Sequence, residues 1–338
     1  MARGQPPRFV CAGGGGNASI AYLGVLQGLE ANFERCYGTP WATHLCEHMC
    51  GFAGASGGAL LALCMCLQLC SADMEAIVRP VLDHPESIFS MPDLKNLIQN
   101  YGMAHGSALK DLVRQILRRA GLSDETTFER LHKLTKREFA CSGTNLNTGR
   151  SRMFSHRSTP DMQITDAVFI SMCLPFVFSP VDLEGDLYVD GALSANLPMG
   201  DFPHSETLVV TFAAPHRWPI QGWTEYVQCI TRLGWNREAD EAVCRRCTCV
   251  CIGASSPTHS PCGVNMTMTA SECDALVGLG YLAVLEALQP PQCGPSICAL
   301  VGQIVVSLSA MLLKESDLPT EASPSDEAGG GADPCSPR

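Results

Sequence analysis

The chain predicts an α/β fold, on three observations. The apolar run Phe9–Ala12 breaks into Gly13, Gly14, Gly15 and Gly16 and is followed by a helix-like stretch over 20–30, which reads as strand, glycine loop, helix. The same order recurs at 48–69, where a short apolar strand leads into a turn that holds Ser56 between Gly54 and Gly58, and a helix apolar on all sides follows. A later strand over 187–192 ends on a carboxylate, Asp190, followed by Gly191 and Ala192.

Composition allows a sizeable core and excludes one function class. The 338 residues are 46% hydrophobic, enough for one large domain. A net charge of −11 and no cluster of Lys and Arg argue against nucleic acid as a partner. The 19 cysteines are odd in number and spread through helix-like and strand-like runs without a secretory pattern. That predicts reduced thiols in an intracellular protein, with buried cysteines acting as small hydrophobes.

In order along the chain, residues 1–8 are a frayed polar start. After the two strand-turn-helix units, helices are expected at 74–82, 94–101 and 108–120, the last with Leu109, Leu112, Val113, Ile116 and Leu117 on one face, and another begins at 127. These read as a cover over one side of a sheet and the approach for substrate. A strand at 138–149 runs into a polar turn with 152–155 as hairpin partner, and a helix over 163–173 stops before Pro175. Residues 208–212 form a further strand and 272–288 a helix. The uncharged stretch at 297–313 is tested against a membrane span: seventeen helical residues reach about 26 Å, short of a bilayer core of about 30 Å. Ile297, Leu300, Val301, Ile304, Val305, Leu308 and Leu312 form one stripe, so a helix packed on the domain or resting on a lipid surface is expected. The acidic, Ser-, Pro- and Gly-rich tail reads as disordered.

The chemistry centres on Ser56. A serine hydroxyl is a weak nucleophile unless its backbone holds it exposed to a base, and a sharp strand-to-helix turn does so where Gly54, Gly57 and Gly58 leave no Cβ to collide. The helix that follows directs its positive end at the nucleophile. For the glycine loop, two chemistries fit: a phosphate or dinucleotide cradle, or an oxyanion hole. The loop lacks a Walker Lys-Ser/Thr, and no strand ending in an acid follows about twenty residues on. Ser56 on the next unit favours the oxyanion hole.

Five motifs in this order resemble the patatin-like phospholipase family of lipid acyl hydrolases. They are the glycine loop before Leu23-Gly24-Val25-Leu26, the Gly54-Ala55-Ser56-Gly57-Gly58 elbow, Thr144-Asn145-Leu146-Asn147-Thr148-Gly149, the run from Ser171 through Pro175 to Val181, and Asp190-Gly191-Ala192 followed by Asn196-Leu197-Pro198. The resemblance implies a three-layer α/β/α fold with a central, mostly parallel sheet. Residues 8–200 would be the catalytic core, 201–316 strands and helices completing the same domain, and 317–338 the disordered tail. It further implies that Ser56 is the nucleophile and Asp190 the general base of a dyad, with the Gly14, Gly15 and Gly16 amides as oxyanion donors. The implied activity is hydrolysis of phospholipid or acylglycerol esters without calcium, other metal or cofactor. The substrate would be lipid at a membrane or droplet surface, reached by a cytoplasmic protein that associates peripherally. One departure stands out: the family carries Arg or Lys and then Gly where this chain has Ala18 and Ser19. A catalytically weak relative that binds lipid or a protein partner is the alternative this motivates.

Two rivals complete the reading. A Ser-His-Asp triad would draw on His204, His216 or His259, but the Asp190-Gly191-Ala192 placement and the glycine loop fit a dyad better. Cys244 and Cys247 have zinc-ligand spacing, but no second C-x-x-C pair follows, so a buried strand bearing thiols is expected there.

Overall fold

A computed structural model describes residues 5–83, 94–213, 236–253 and 269–288, with 220, 226, 229–230 and 233 between them. The stretches at 297–313 and 317–338, with His216 and His259, lie outside the described residues. Strand β1 (Phe9–Ala12) runs parallel to β2 (Gly51–Gly54) on one edge and to β9 (Thr207–Phe212) on the other. Strand β10 (Thr248–Ile252) extends this parallel set beyond β9. On the far side, β4 (Glu138–Asn145) is parallel to β2 and antiparallel to both β5 (Arg150–Ser155) and β8 (Asp186–Asp190), with β7 (Val181–Leu183) at the edge. The order is β10-β9-β1-β2-β4-β8-β7 with β5 also on β4, so the sheet is mixed with a parallel centre. A small parallel pair, β3 (Gly102–Ala104) with β6 (Phe176–Phe178), stands apart from it.

Both faces of the central strands are covered. Successive strand residues point to opposite faces. Val10, Ala12, Phe52, Phe139, Leu208, Val210 and Val250 enter the main core, while Cys11, Ala53 and Val209 meet Leu197, Met199 and Phe202 on the other side. A strand buried on both faces has no reason to alternate apolar with polar, so these segments read as short apolar runs. Each large side chain buried in this way contributes roughly 1.5–3 kcal/mol.

The main core is roofed by helices. Helix α1 (Ala21–Tyr37) packs along α10 (Ala270–Ala287), and α3 (Gly57–Cys66) lies on β1 and β2. The two long helices approach closely because glycines face the contact: a Cβ at Gly28 would stand 2.8 Å from Val284 Cβ. Helix α6 (Ser107–Arg119) buries the expected stripe of Leu109, Leu112, Val113, Ile116 and Leu117 against α8 (Ile164–Ser171) and α4 (Ser71–Asp83). Helices α5 (Leu94–Asn100) and α7 (Phe128–Thr135) also occur where helical spacing placed them.

The sequence reading did not anticipate α2 (Trp41–Glu47), α9 (Arg237–Cys244) or the β3–β6 pair. The expected thiol strand is β10, but its Cys249 and Cys251 are only half-buried, and Cys244 belongs to the end of α9. Among the described residues no three His, Cys, Asp or Glu side chains converge as metal ligands. No helix among them is long and apolar enough to cross a membrane.

Candidate active site

Ser56 stands between β2 and α3 with φ 53° and ψ −131°. A residue with a Cβ in that region costs on the order of 1–3 kcal/mol, so the surroundings must enforce it. They do so by hydrogen bonds on both sides of the turn. Ala55 N donates to Ala12 O at 3.1 Å, Ser56 N to Ser171 Oγ at 3.0 Å and Ala59 N to Ser56 O at 2.9 Å. Gly54 and Gly58 lie against each other, and Gly58 also lies against the Ala12 and Gly13 carbonyls, which leaves no room for side chains in the elbow. Ser56 itself is 5% exposed.

Asp190 reaches the elbow through the sheet. β4 keeps β5 along one edge from Ala140 to Asn145, so β2 and β8 share the other edge end to end. β2 pairs with β4 up to Gly54↔Cys141, and β8 takes over at Asp190↔Gly143, two residues further along β4. The carboxylate at the end of β8 therefore arrives where β2 turns into Ser56. Its backbone is fixed by Asp190 N donating to Cys173 O at 2.8 Å and Thr144 Oγ1 donating to Asp190 O at 2.7 Å. Gly191 packs directly on the Ser142 backbone.

Burial pushes the Asp190 carboxyl up to about 7, against the Ser56 hydroxyl and the Ala192 amide, which favour the anion. Ala192 N donates to Oδ1 at 2.8 Å. Oδ2 closes no hydrogen bond among the described residues, although Ser56 is near enough to stabilise the charge. A fully buried carboxylate with one oxygen uncommitted beside a serine is arranged to take up a proton.

The glycine loop lies over this pair. A Cβ at Gly14 would come 2.8 Å from Ala192 Cβ and 3.0 Å from Ser56 Cβ, so the loop touches both the elbow and the Asp190 turn. Its amides are not equivalent. Gly13 N donates to Val210 O at 2.9 Å and Gly14 N to Asn196 Oδ1 at 2.8 Å, whereas the Gly15 and Gly16 amides are not taken up by another described residue. Of the three expected oxyanion donors, Gly14 is thus committed elsewhere. The same two bonds occupy half of the amides that a phosphate cradle would need. Ala18 is buried at the place where a cation was noted as missing, and Ser19 Oγ, against Gly57, is buried without a partner among the described residues.

Of the three candidate histidines only His204 is described, and it does not converge on Ser56. His204 precedes β9, which is parallel to β1 and β2, so it lies at the end of the strands opposite to Ser56. Two residues of the site had no assigned role in the sequence reading, Ser171 and Asn196. Both fall in motifs that were singled out, but only the fold shows that one holds the Ser56 amide and the other the Gly14 amide.

An uncharacterized protein of Acanthamoeba polyphaga mimivirus is 31% identical over 166 residues, which cover 46% of this chain and 52% of that protein. A protein of Invertebrate iridescent virus 6 described as a probable lipid hydrolase is 26% identical over 78 residues, covering 23% of this chain and 27% of its own. The match thus spans about half or less of these relatives' length. In fold, the chain is similar to VipD from Legionella pneumophila, with a TM-score of 0.53 at 16% identity over 85% of this chain and 67% of that one. The family model described as patatin-like phospholipase matches residues 10–203, more than half of the sequence and every element from β1 to the Asp190 turn. The chain belongs to the patatin-like phospholipase family.

Proposed function

We propose that the protein is a lipid acyl hydrolase that cleaves carboxylic esters of phospholipids or acylglycerols through a Ser56–Asp190 dyad. The observation that carries this is the meeting of a strained serine at a helix N-terminus with a buried aspartate whose carboxyl is pushed up to about 7. Asp190 takes the Ser56 proton as Oγ attacks the ester carbonyl, giving a tetrahedral oxyanion. The Gly15 and Gly16 amides meet that charge, the alcohol leaves with a proton, and water hydrolyses the acyl-enzyme by the same route. These steps call for no metal ion or cofactor. The substrate is lipid presented at a membrane or droplet surface, and the protein works inside the cell in peripheral contact with that surface.

The test is hydrolysis of a short-chain reporter ester and of mixed phospholipid vesicles, with chelator present, by wild type, Ser56→Ala and Asp190→Asn. Activity in wild type that is lost in both variants supports the dyad. A second reading, a catalytically weak lipid-binding or interaction module, is favoured by buried Ala18 and by the Ser19 hydroxyl, which has no partner among the described residues. It predicts that folded wild type is no faster than either variant on any lipid ester.

A further inference from the structure

The Gly14 amide is held by a side chain that is itself held by another. Asn196 is 6% exposed and crosses the glycine loop: its Oδ1 accepts from Gly14 N at 2.8 Å, and a Cβ at Gly13 would meet its Nδ2 at 3.1 Å. That Nδ2 donates to Asp240 Oδ2 at 2.8 Å. Asp240 is half-buried in α9, which lies outside the residues matched by the family.

The two ends of an asparagine amide have nearly the same shape and opposite hydrogen-bonding character. With Nδ2 turned to Gly14, two donors would face each other and the loop amide would lose its acceptor. An ionised carboxylate only accepts, so Asp240 selects the orientation in which Oδ1 faces Gly14, and its charge strengthens the bond. We propose that Asp240 is a positioning residue for the oxyanion loop: by fixing the Asn196 amide it commits the Gly14 N–H and leaves the Gly15 and Gly16 amides to receive the oxyanion. The inference rests on the hydrolase reading above, because the loop needs this precision only if charge develops beside it.

The experiment has two arms on the full chain. Hydrogen exchange of the Gly14 amide, followed by NMR, is compared in wild type, Asp240→Ala and Asp240→Asn. Exchange should be at least about tenfold faster in the alanine variant and within about threefold of wild type in the asparagine variant, whose side-chain oxygen still accepts from Asn196. In reporter-ester kinetics, Asp240→Ala should lower kcat about tenfold with KM within about twofold, Asp240→Asn should restore most of it, and adding Asp240→Ala to Asn196→Ala should cost little more than Asn196→Ala alone. Unchanged Gly14 exchange in Asp240→Ala, an asparagine variant as impaired as the alanine one, or multiplicative losses in the double variant would each overturn the positioning role. If wild type hydrolyses no ester, the hydrolase reading fails, and the exchange arm alone decides whether Asp240 holds the loop.

Discussion

Replacing Asp190 with asparagine should spare the protein a loss of stability that wild type suffers as pH rises, while removing the proposed activity. In the fold the carboxyl sits at about 7, against an ordinary value of 3.8, because burial penalises the anion. The folded state therefore binds the proton more tightly than the unfolded chain. The stability this confers is fully present below the unfolded value, near pH 4, and is lost as pH rises through about 7. A shift of that size corresponds to about 4 kcal/mol in full, of which about 2.5 kcal/mol falls between about pH 5 and pH 8. The substituted side chain is neutral throughout and can keep the Ala192 bond to its oxygen, so the variant escapes this loss. The assay is urea unfolding of wild type and Asp190→Asn at both pH values. The stability gap in favour of the variant should widen by about 2–3 kcal/mol from the lower pH to the higher. In parallel, wild-type kcat/KM on a reporter ester should rise about tenfold per unit below about pH 7 and level off above it, as a base of that pKa requires. A gap that is equal at both pH values, together with a flat rate profile, would refute the buried-base argument.

Three other variants probe the supports of the site. Gly14→Ala brings a methyl to 2.8 Å from Ala192 Cβ and 3.0 Å from Ser56 Cβ, so kcat should fall at least about tenfold and stability by about 1–3 kcal/mol, read by ester kinetics and urea unfolding. Ser171→Ala removes the acceptor of the Ser56 amide, and it should lower kcat about tenfold while costing only about 1 kcal/mol of stability. Arg137 is buried away from the site, donating to the carbonyl oxygens of Leu45 at 2.9 Å, Cys46 at 2.7 Å, Cys66 at 3.3 Å and Met49 at 3.4 Å. Arg137→Ala strips partners from those carbonyls and should cost about 3 kcal/mol in urea unfolding, with the pH–rate profile unchanged.

Much of the candidate site was legible because the two residues of the proposed dyad sit on turns with local signatures. A nucleophile elbow needs small residues within two positions of the serine, so Gly54, Gly57 and Gly58 mark Ser56 in the chain itself. Asp190 is marked by the strand before it and by Gly191, which must pack on the Ser142 backbone. The apolar stripe of α6 and the short apolar strands declared the α/β class for the same reason: spacing along one segment decides which face it buries. Less legible were short elements such as α2 and α9, whose seven or eight residues leave little spacing to read.

The tertiary structure alone decided what depends on segments far apart in sequence. Ser56 and Asp190 meet because β4 gives one edge first to β2 and then to β8, an arrangement set by long-range pairing that neither motif encodes. Asn196 was visible as part of a motif, but its hold on Gly14, 182 positions away, and on Asp240, 44 positions away, exists only in the folded chain. The upward shift of Asp190 likewise comes from burial, which no local pattern states. The sequence by itself determined the turns, the helix faces and which side chains are candidates for the proposed dyad, since these follow from backbone sterics and short-range spacing. Strand order, shared edges and desolvation set the distances and pKa between those groups, and they arise only when remote segments pack.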